Sequence, residues 1–336
     1  MRVVAIVICC LFGSLVPALA GSCPGNPNAI GTSRTITVEP SGFPRIGSMQ
    51  YRTTLPLNDH EVVITFDDGP VPAYSNRILE TLASECVKVT YFLVGRMAAA
   101  YPETVRRIYN AGHTIGTHSE NHPLTFNQMA MPRIEREVGD GIASVQAALG
   151  DPRAVAPFFR IPALLRSPQV ESYLASKSLA VWSADEVADD WYKGVTAQQI
   201  VRNAMSRIEA KDHRGVLLLH DIHPATAMAL PTLLKELKAK GYKIVQAIPA
   251  GEQPKLLPEP AGPMVAEGGW PRLVKTSLET SEKPIKVAAA HGRKRVAHRV
   301  RHRERDRDRD VTASITKKKS KTKTAESGTS APSYRR

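Results

Sequence analysis

Cysteine is scarce in this chain, four in 336 residues, and Cys9 and Cys10 lie in a stretch with the pattern of an export signal. Loss of that stretch leaves only Cys23 and Cys86, too few for a cysteine-rich metal cage or a disulfide-dense scaffold. The two could bridge in an oxidising compartment, or Cys86 could be a small buried apolar residue; both readings stay open. Long apolar runs are lacking too. None reaches the ~20 residues that a membrane-spanning helix needs. The apolar run 3–16 sits between Arg2 and Ala18-Leu-Ala20, the layout of a secretory signal with a small-residue cleavage site. A mature chain from Gly21, exported to the periplasm or exterior and without a transmembrane span, is expected. Lipidation at Cys23 is disfavoured, because Ala20-Gly21-Ser22 lacks a large aliphatic residue three positions upstream.

Net charge is nearly absent from residues 1–280, with 27 basic against 26 acidic side chains. Residues 281–336 carry 18 Lys and Arg against 6 Asp and Glu, a surplus of 12 out of the formal +13. This tail lacks apolar periodicity, so it cannot build a core and is expected to be disordered. It is either a solvated spacer or an electrostatic attachment to anionic cell-wall polymer or a membrane surface. Export makes nucleic acid the least suitable partner. No internal repeat is found beyond an alternation of strand and helix patterns.

That alternation is orderly. Apolar strand patterns at 61–66, 88–94, 113–116, 156–160, 179–183, 215–219 and 243–247 alternate with amphipathic patterns at 74–84, 102–111, 131–149, 168–176, 196–210 and 225–239. It predicts an α/β domain with a largely parallel sheet, a barrel or incomplete barrel of about seven strands; an open doubly wound sheet is the alternative. The barrel is preferred because every chemically suggestive residue follows a strand, and only in a barrel do those ends converge on one mouth. The expected organisation is a signal at 1–20, an extended N-terminal segment at 21–59 laid on the domain with one short strand at 35–38, a catalytic domain at 60–250, and a Pro/Gly linker and basic tail at 251–336.

Thr65-Phe-Asp67-Asp68-Gly69-Pro70 and His118-Ser-Glu-Asn-His122-Pro together outline a mononuclear metal site with a spare acid. Asp68, His118 and His122 offer the oxygen and nitrogen ligands that suit a divalent ion, zinc first and cobalt or a similar ion second, with a position left for water. Asp67 is then the base that takes a proton from that water. The His spacing of four can put both rings on one side of a helical turn. Arg160 ends an apolar strand and could hold Asp67 through paired charge-assisted hydrogen bonds. The segment Trp182-Ser-Ala-Asp185-Glu-Val-Ala-Asp-Asp190-Trp191 crowds four acids and two indoles, a composition apt for a carbohydrate subsite. His220, ending an apolar strand, could donate a proton to a leaving group.

In this order the motifs TFDDGP, HSENHP, FFRIPA, the DDW segment and LLLHD resemble the five signature segments of the polysaccharide deacetylases, carbohydrate esterase family 4 with the NodB homology domain, over residues 60–248. The resemblance implies a distorted, incomplete (β/α) barrel and metal-dependent removal of acetyl groups from N-acetylglucosamine-type polymers, or of O-acetyl groups from xylan. It also implies Asp67 as base, Asp68, His118 and His122 as metal ligands, and Arg160 positioning Asp67. Asp190 would tune His220, the acid, while Trp191 and Leu218 would shape the acetyl pocket. The backbone N–H of Ala163 would donate to the oxyanion. Ala163 stands where the family commonly has Tyr, which removes any polymer contact made by a phenol. A non-catalytic polysaccharide-binding protein and a small-molecule amidase or esterase are the competing functions.

Overall fold

The computed structural model describes residues 23–257; the expected export signal, and the tail from 258 onward, lie outside the described residues. In chain order the elements are β1 (Thr32–Val38), β2 (Arg45–Ile46), β3 (Glu61–Asp67), α1 (Pro72–Ser84), β4 (Thr90–Leu93), α2 (Gly95–Ala100), α3 (Pro102–Asn110), β5 (Thr114–Thr117), α4 (Met131–Leu149), β6 (Phe158–Arg160), α5 (Pro168–Ser176), β7 (Ala180–Trp182), β8 (Glu186–Val187), α6 (Ala197–Ala210), β9 (Gly215–His220), α7 (Pro224–Ala239) and β10 (Lys243–Pro249). All strand pairings are parallel. The path runs β8-β9-β3-β4-β5-β6-β7-β2, with β10 and β1 branching from the start of β3. Among the described residues no ladder joins β7 to β9. Asp185 spans that gap, its N–H donating to Val216 O at 2.9 Å and its carboxylate accepting from Val216 N at 2.8 Å. The barrel is therefore incomplete and distorted, as expected.

Period-two alternation decides what points inward. Along β3, Val62, Ile64 and Phe66 join the apolar layer shared with the helices, whereas Val63 joins the barrel interior with Phe92, Phe158, Trp182 and Val216. Thr65 and Asp67 share Val63's parity. On β6, Arg160 shares that of Phe158; on β9, Leu218 and His220 share that of Val216. The apolar interior thus ends in a polar layer at the C-terminal mouth. The helices close the outer face, α6 with a capping box in which Thr196 and Gln199 bond reciprocally.

The N-terminal segment differs from the covering layer that its proline-rich sequence suggested. β1 adds to β10 over 32–38, and β2 adds to β7. A strand buried on one side only, with the pattern TSRTITV, lacks the continuous apolar run that marks its fully buried neighbours. Cys23 and Cys86 are joined by a disulfide, which ties this segment to the end of α1. The fold also runs past residue 250. Asn110 exchanges hydrogen bonds with the backbone of Leu257 at 2.8 and 3.0 Å, and Leu257 is buried in the outer core.

Candidate active site

Asp67 is the last residue of β3 and Asp68 the first beyond it, with φ at +77°. Asp tolerates this left-handed conformation better than most residues, and the turn aims the two side chains differently. Asp67 Oδ1 accepts from Arg160 Nη1 at 2.5 Å, and the same nitrogen reaches Thr65 Oγ1 at 2.8 Å. Arg160 Nη2 instead donates to Ser183 O at 2.8 Å, and the guanidinium lies 4.2 Å from the Phe92 ring centroid. The expected paired bonds are thus a single bond, because the other arm of the fork is committed to a backbone carbonyl. Arg160 is fully buried and Asp67 nearly so, a setting in which breaking the pair strands a charge.

His118 follows β5. Its Nδ1 faces Arg160 O at 2.6 Å; a carbonyl only accepts, so Nδ1 carries the proton and Nε2 presents a lone pair. That Nε2 lies 3.4 Å from Asp68 Oδ1 and 3.8 Å from Asp67 Oδ2, and His122 Nε2 lies 3.3 Å from Asp68 Oδ1. The expected helical turn is absent. Residues 118–122 form a loop with Ser119 and His122 at φ +64° and +54°, clamped by Glu137 of α4, which accepts from Asn121 N at 2.8 Å and Asn121 Nδ2 at 3.1 Å.

Asp68, His118 and His122 each offer a ligand atom, all within 4.8 Å of one another. Asp68 Oδ1 is buried without a hydrogen-bond partner, which fits an atom meant for a cation. Burial alone would raise the Asp68 carboxyl, but the imidazoles of His122, His118 and His220 gathered round it hold it below the usual carboxylate range. His122 is pushed down chiefly by burial, against the pull of Asp68, toward the neutral form that a ligand needs.

Across the mouth stands a different histidine. His220 Nδ1 is 2.8 Å from Asp190 Oδ1, while Asp190 Oδ2 accepts from His220 N and Thr226 Oγ1, both at 2.7 Å. Burial works to lower His220, but the Asp190 charge and bond outweigh it, and the imidazole is pushed up to about 9. Its Nε2 is 4.0 Å from Asp68 Oδ2. The half-buried Trp191 meets the His220 ring edge-on at 5.6 Å, and Leu218, 4% exposed, precedes His220 on the same face of β9. Ala163 lies in the turn after β6; it and Leu164 both have positive φ, +50° and +55°, a strain of roughly 1–2 kcal/mol each.

Residues 55–182 match the family model described as polysaccharide deacetylase. A peptidoglycan-N-acetylglucosamine deacetylase of Bacillus cereus is 31% identical over 211 residues, 60% of this chain and 72% of that protein. The chain belongs to the polysaccharide deacetylase family. The peptidoglycan-N-acetylmuramic acid deacetylase PdaC of Bacillus subtilis is 30% identical over 203 residues, 59% of this chain but only 40% of that protein. Bdellovibrio bacteriovorus peptidoglycan deacetylase Bd3279 superposes with a TM-score of 0.59 at 28% identity, covering 67% of this chain and 61% of that one.

Two residues of this chain from the segment apt for a sugar subsite belong elsewhere. Trp182 is 1% exposed and packs on Phe92 and Phe158 inside the barrel. Asp185 is buried as an acceptor for Ser48 N, Thr54 Oγ1 and Val216 N. Composition alone cannot separate an interior indole from a surface one. Sequence reasoning also gave no role to Asp221, though it directly follows His220. It is fully buried, takes a 2.5 Å bond from Ser75 Oγ, and a Cβ at Gly69 would overlap its carboxylate. Burial, the charge of Asp68 adding to it, pushes Asp221 up to about 7 against the bond from Ser75.

Proposed function

We propose that this protein is a metal-dependent hydrolase that removes N-acetyl groups from an N-acetylglucosamine-type polymer, a cell-wall or extracellular polysaccharide such as peptidoglycan or a chitin-like oligosaccharide. One observation carries the reading: the His220 imidazole, hydrogen-bonded to the buried Asp190, faces across 4.0 Å the Asp68 carboxylate of a triad that could hold a metal. A base and an acid on opposite sides of one site are what amide hydrolysis needs, since an amine departs poorly unless protonated.

A divalent ion held by Asp68, His118 and His122, zinc first and cobalt second, would supply Lewis acidity to the acetyl carbonyl and the attacking water. Asp67 takes the proton of that water, oriented by the buried Arg160. The Ala163 N–H donates to the acetyl oxygen as charge builds on it. His220 delivers a proton to the departing nitrogen, and Asp190 keeps it charged until then. Leu218 and Trp191 bound the space for the acetyl methyl. The relatives of similar identity name different sugars, N-acetylmuramic acid and N-acetylglucosamine, so overall likeness does not select the residue attacked.

The Cys23–Cys86 bridge is of a kind that persists in oxidising compartments, and together with the signal pattern it supports export to the periplasm or exterior. Among the described residues no helix is long and apolar enough to cross a membrane. The basic tail is proposed as an electrostatic anchor on anionic wall polymer or membrane surface. Removing residues 258–336 should leave turnover on short oligomers intact and weaken low-salt retention on wall preparations, a difference that vanishes near 1 M salt, where the Debye length is about 3 Å.

Incubating the metal-loaded protein with acetylated glucosamine oligomers, acetylated xylan and small aryl acetates, and measuring free acetate and product mass, tests the reading. Acetate from the amide-linked oligomers is expected. Release only from xylan would mark an O-acetyl esterase, and binding without release a polysaccharide-binding protein.

A further inference from the structure

The loop that carries Ala163 is unusual in its backbone. Two successive non-glycine residues, Ala163 and Leu164, sit in the left-handed region, which L-residues leave unless the surroundings hold them. The holding contacts come from a distant part of the chain. Gln50 Nε2 donates to Leu164 O at 2.7 Å; since a carbonyl only accepts, the amide orientation follows from the contact. Arg166 Nη1 returns a bond to Gln50 O at 3.1 Å. The Arg166 guanidinium lies 4.9 Å from the Tyr51 ring centroid and also bonds Glu171, the carboxylate that accepts from Tyr51 Oη at 3.2 Å.

Gln50 is itself anchored. Gln50 N and Tyr51 N both donate to Gly47 O, Met49 N donates to Ala184 O at 3.0 Å, and Ser48 N donates to Asp185 at 2.6 Å. Gly47 has φ +110°, and a Cβ there would overlap the Ala184 backbone, so only glycine lets the segment lie this close. β2, immediately upstream, is laddered to β7. Residues 45–51 thus form a rigid bracket between β7 and the loop after β6.

We propose that Gln50 is a positioning residue for the oxyanion side of the site: its hydrogen bond to Leu164 O fixes the turn that aims the Ala163 N–H. This rests on the reading of Ala163 N–H as the oxyanion donor. It gives the N-terminal segment a part in the reaction that its sequence does not advertise. A positioning contact of this kind acts on the transition state, so it belongs to kcat more than to KM.

The test compares Gln50→Met, which keeps length but removes the donor, with Gln50→Lys, which restores one. Each is assayed as the metal-loaded full chain on acetylated glucosamine oligomers, and for binding of an oligomer carrying a methylphosphonamidate in place of the acetyl group. Gln50→Met should lower kcat about five- to tenfold with KM within twofold. Analogue affinity should fall by a similar factor, metal content should stay unchanged, and Gln50→Lys should recover part of both losses. Unchanged kcat and analogue affinity in Gln50→Met, or no recovery in Gln50→Lys, overturns the inference and leaves the oxyanion reading untouched. A fall in kcat with analogue affinity unchanged overturns the oxyanion reading itself, and the inference with it.

Discussion

The two sides of the barrel mouth place the same side chain in opposite electrostatic settings, and the atom behind the ring makes the difference. On the β5 side, His118 Nδ1 meets a backbone carbonyl, which fixes the tautomer but brings no full charge. On the β9 side, His220 Nδ1 meets a carboxylate that is 0% exposed, and the ring is pushed up to about 9. On the proposed mechanism the first arrangement suits a ligand and the second an acid. The adjacent aspartates repeat the contrast. Asp67 accepts a bond from a buried arginine, whereas Asp68 keeps a buried oxygen free of hydrogen bonds.

The largest expected effect separates the aspartates. Asp68→Asn, His118→Ala and His122→Ala should each lose most of the bound metal and all measurable turnover, because each removes one of three ligands. Asp67→Asn should retain metal near the parental level while turnover falls by a factor on the order of 100 to 10,000. Metal analysis of the purified variants checks the division of labour; equal metal loss in Asp67→Asn and Asp68→Asn would break it.

His220→Ala, next in size, tests the two histidine roles. It should retain metal, lose N-deacetylation by roughly 100 to 10,000-fold, and cleave an activated aryl acetate with far less loss, since that leaving group needs no proton. Equal losses on the two substrates would make His220 a positioning group.

Asp190→Asn sharpens the contrast by converting the acid toward the ligand type. His220 must be protonated to act, so activity should fall as pH rises through its folded value. With Asn at 190 that basic limb should move toward the ordinary ~6.5. A cation in the triad lowers both limbs, so the displacement between variant and parent in a kcat against pH profile is the quantity to read. The linkage has the same sign. A raised histidine contributes stability that is full below about 6.5 and lost as pH rises through about 9. A basic limb that stays put would remove Asp190 from the mechanism.

The smallest effect lies at the far end of the barrel. Glu61, which begins β3, is paired with Arg34 of β1 at 2.6 Å and lowered to about 2, chiefly by that bond acting against burial. Its contribution is present above about 4.5 and lost as pH falls through about 2. Glu61→Gln should cost about 1 kcal/mol of stability, for Arg34 is partly exposed, and should leave kcat unaltered. Denaturant titration beside an activity assay reads both.

Much of this was legible beforehand, and the failures have definite causes. The seven buried strands and six of the helices fall within a few residues of their apolar patterns, because two-sided burial writes a continuous run and one-sided helix burial a 3.6 period. β2 and β8, two residues each, and α2, six residues, are too short to carry a period. The motif residues collect at one mouth because each terminates or follows a parallel strand. What escaped was pairing between distant segments: Gln50 with Leu164, Glu137 with Asn121, Asp221 with Gly69. No local pattern marks such a partner, and the indole of Trp182 shows how composition misleads when the face of a strand is unknown.

The nesting of Gly69 against Asp221 has an evolutionary consequence. Any side chain at 69 collides with the carboxylate, so position 69 cannot change unless Asp221 gives way. Gly69→Ala should be lost from a mutational library in the native background, yet survive better beside Asp221→Gly or Asp221→Ala, which vacate the space. A change at the turn after β3 is thereby tied to the residue after His220, and a search for altered turns at 69 has to open position 221 first.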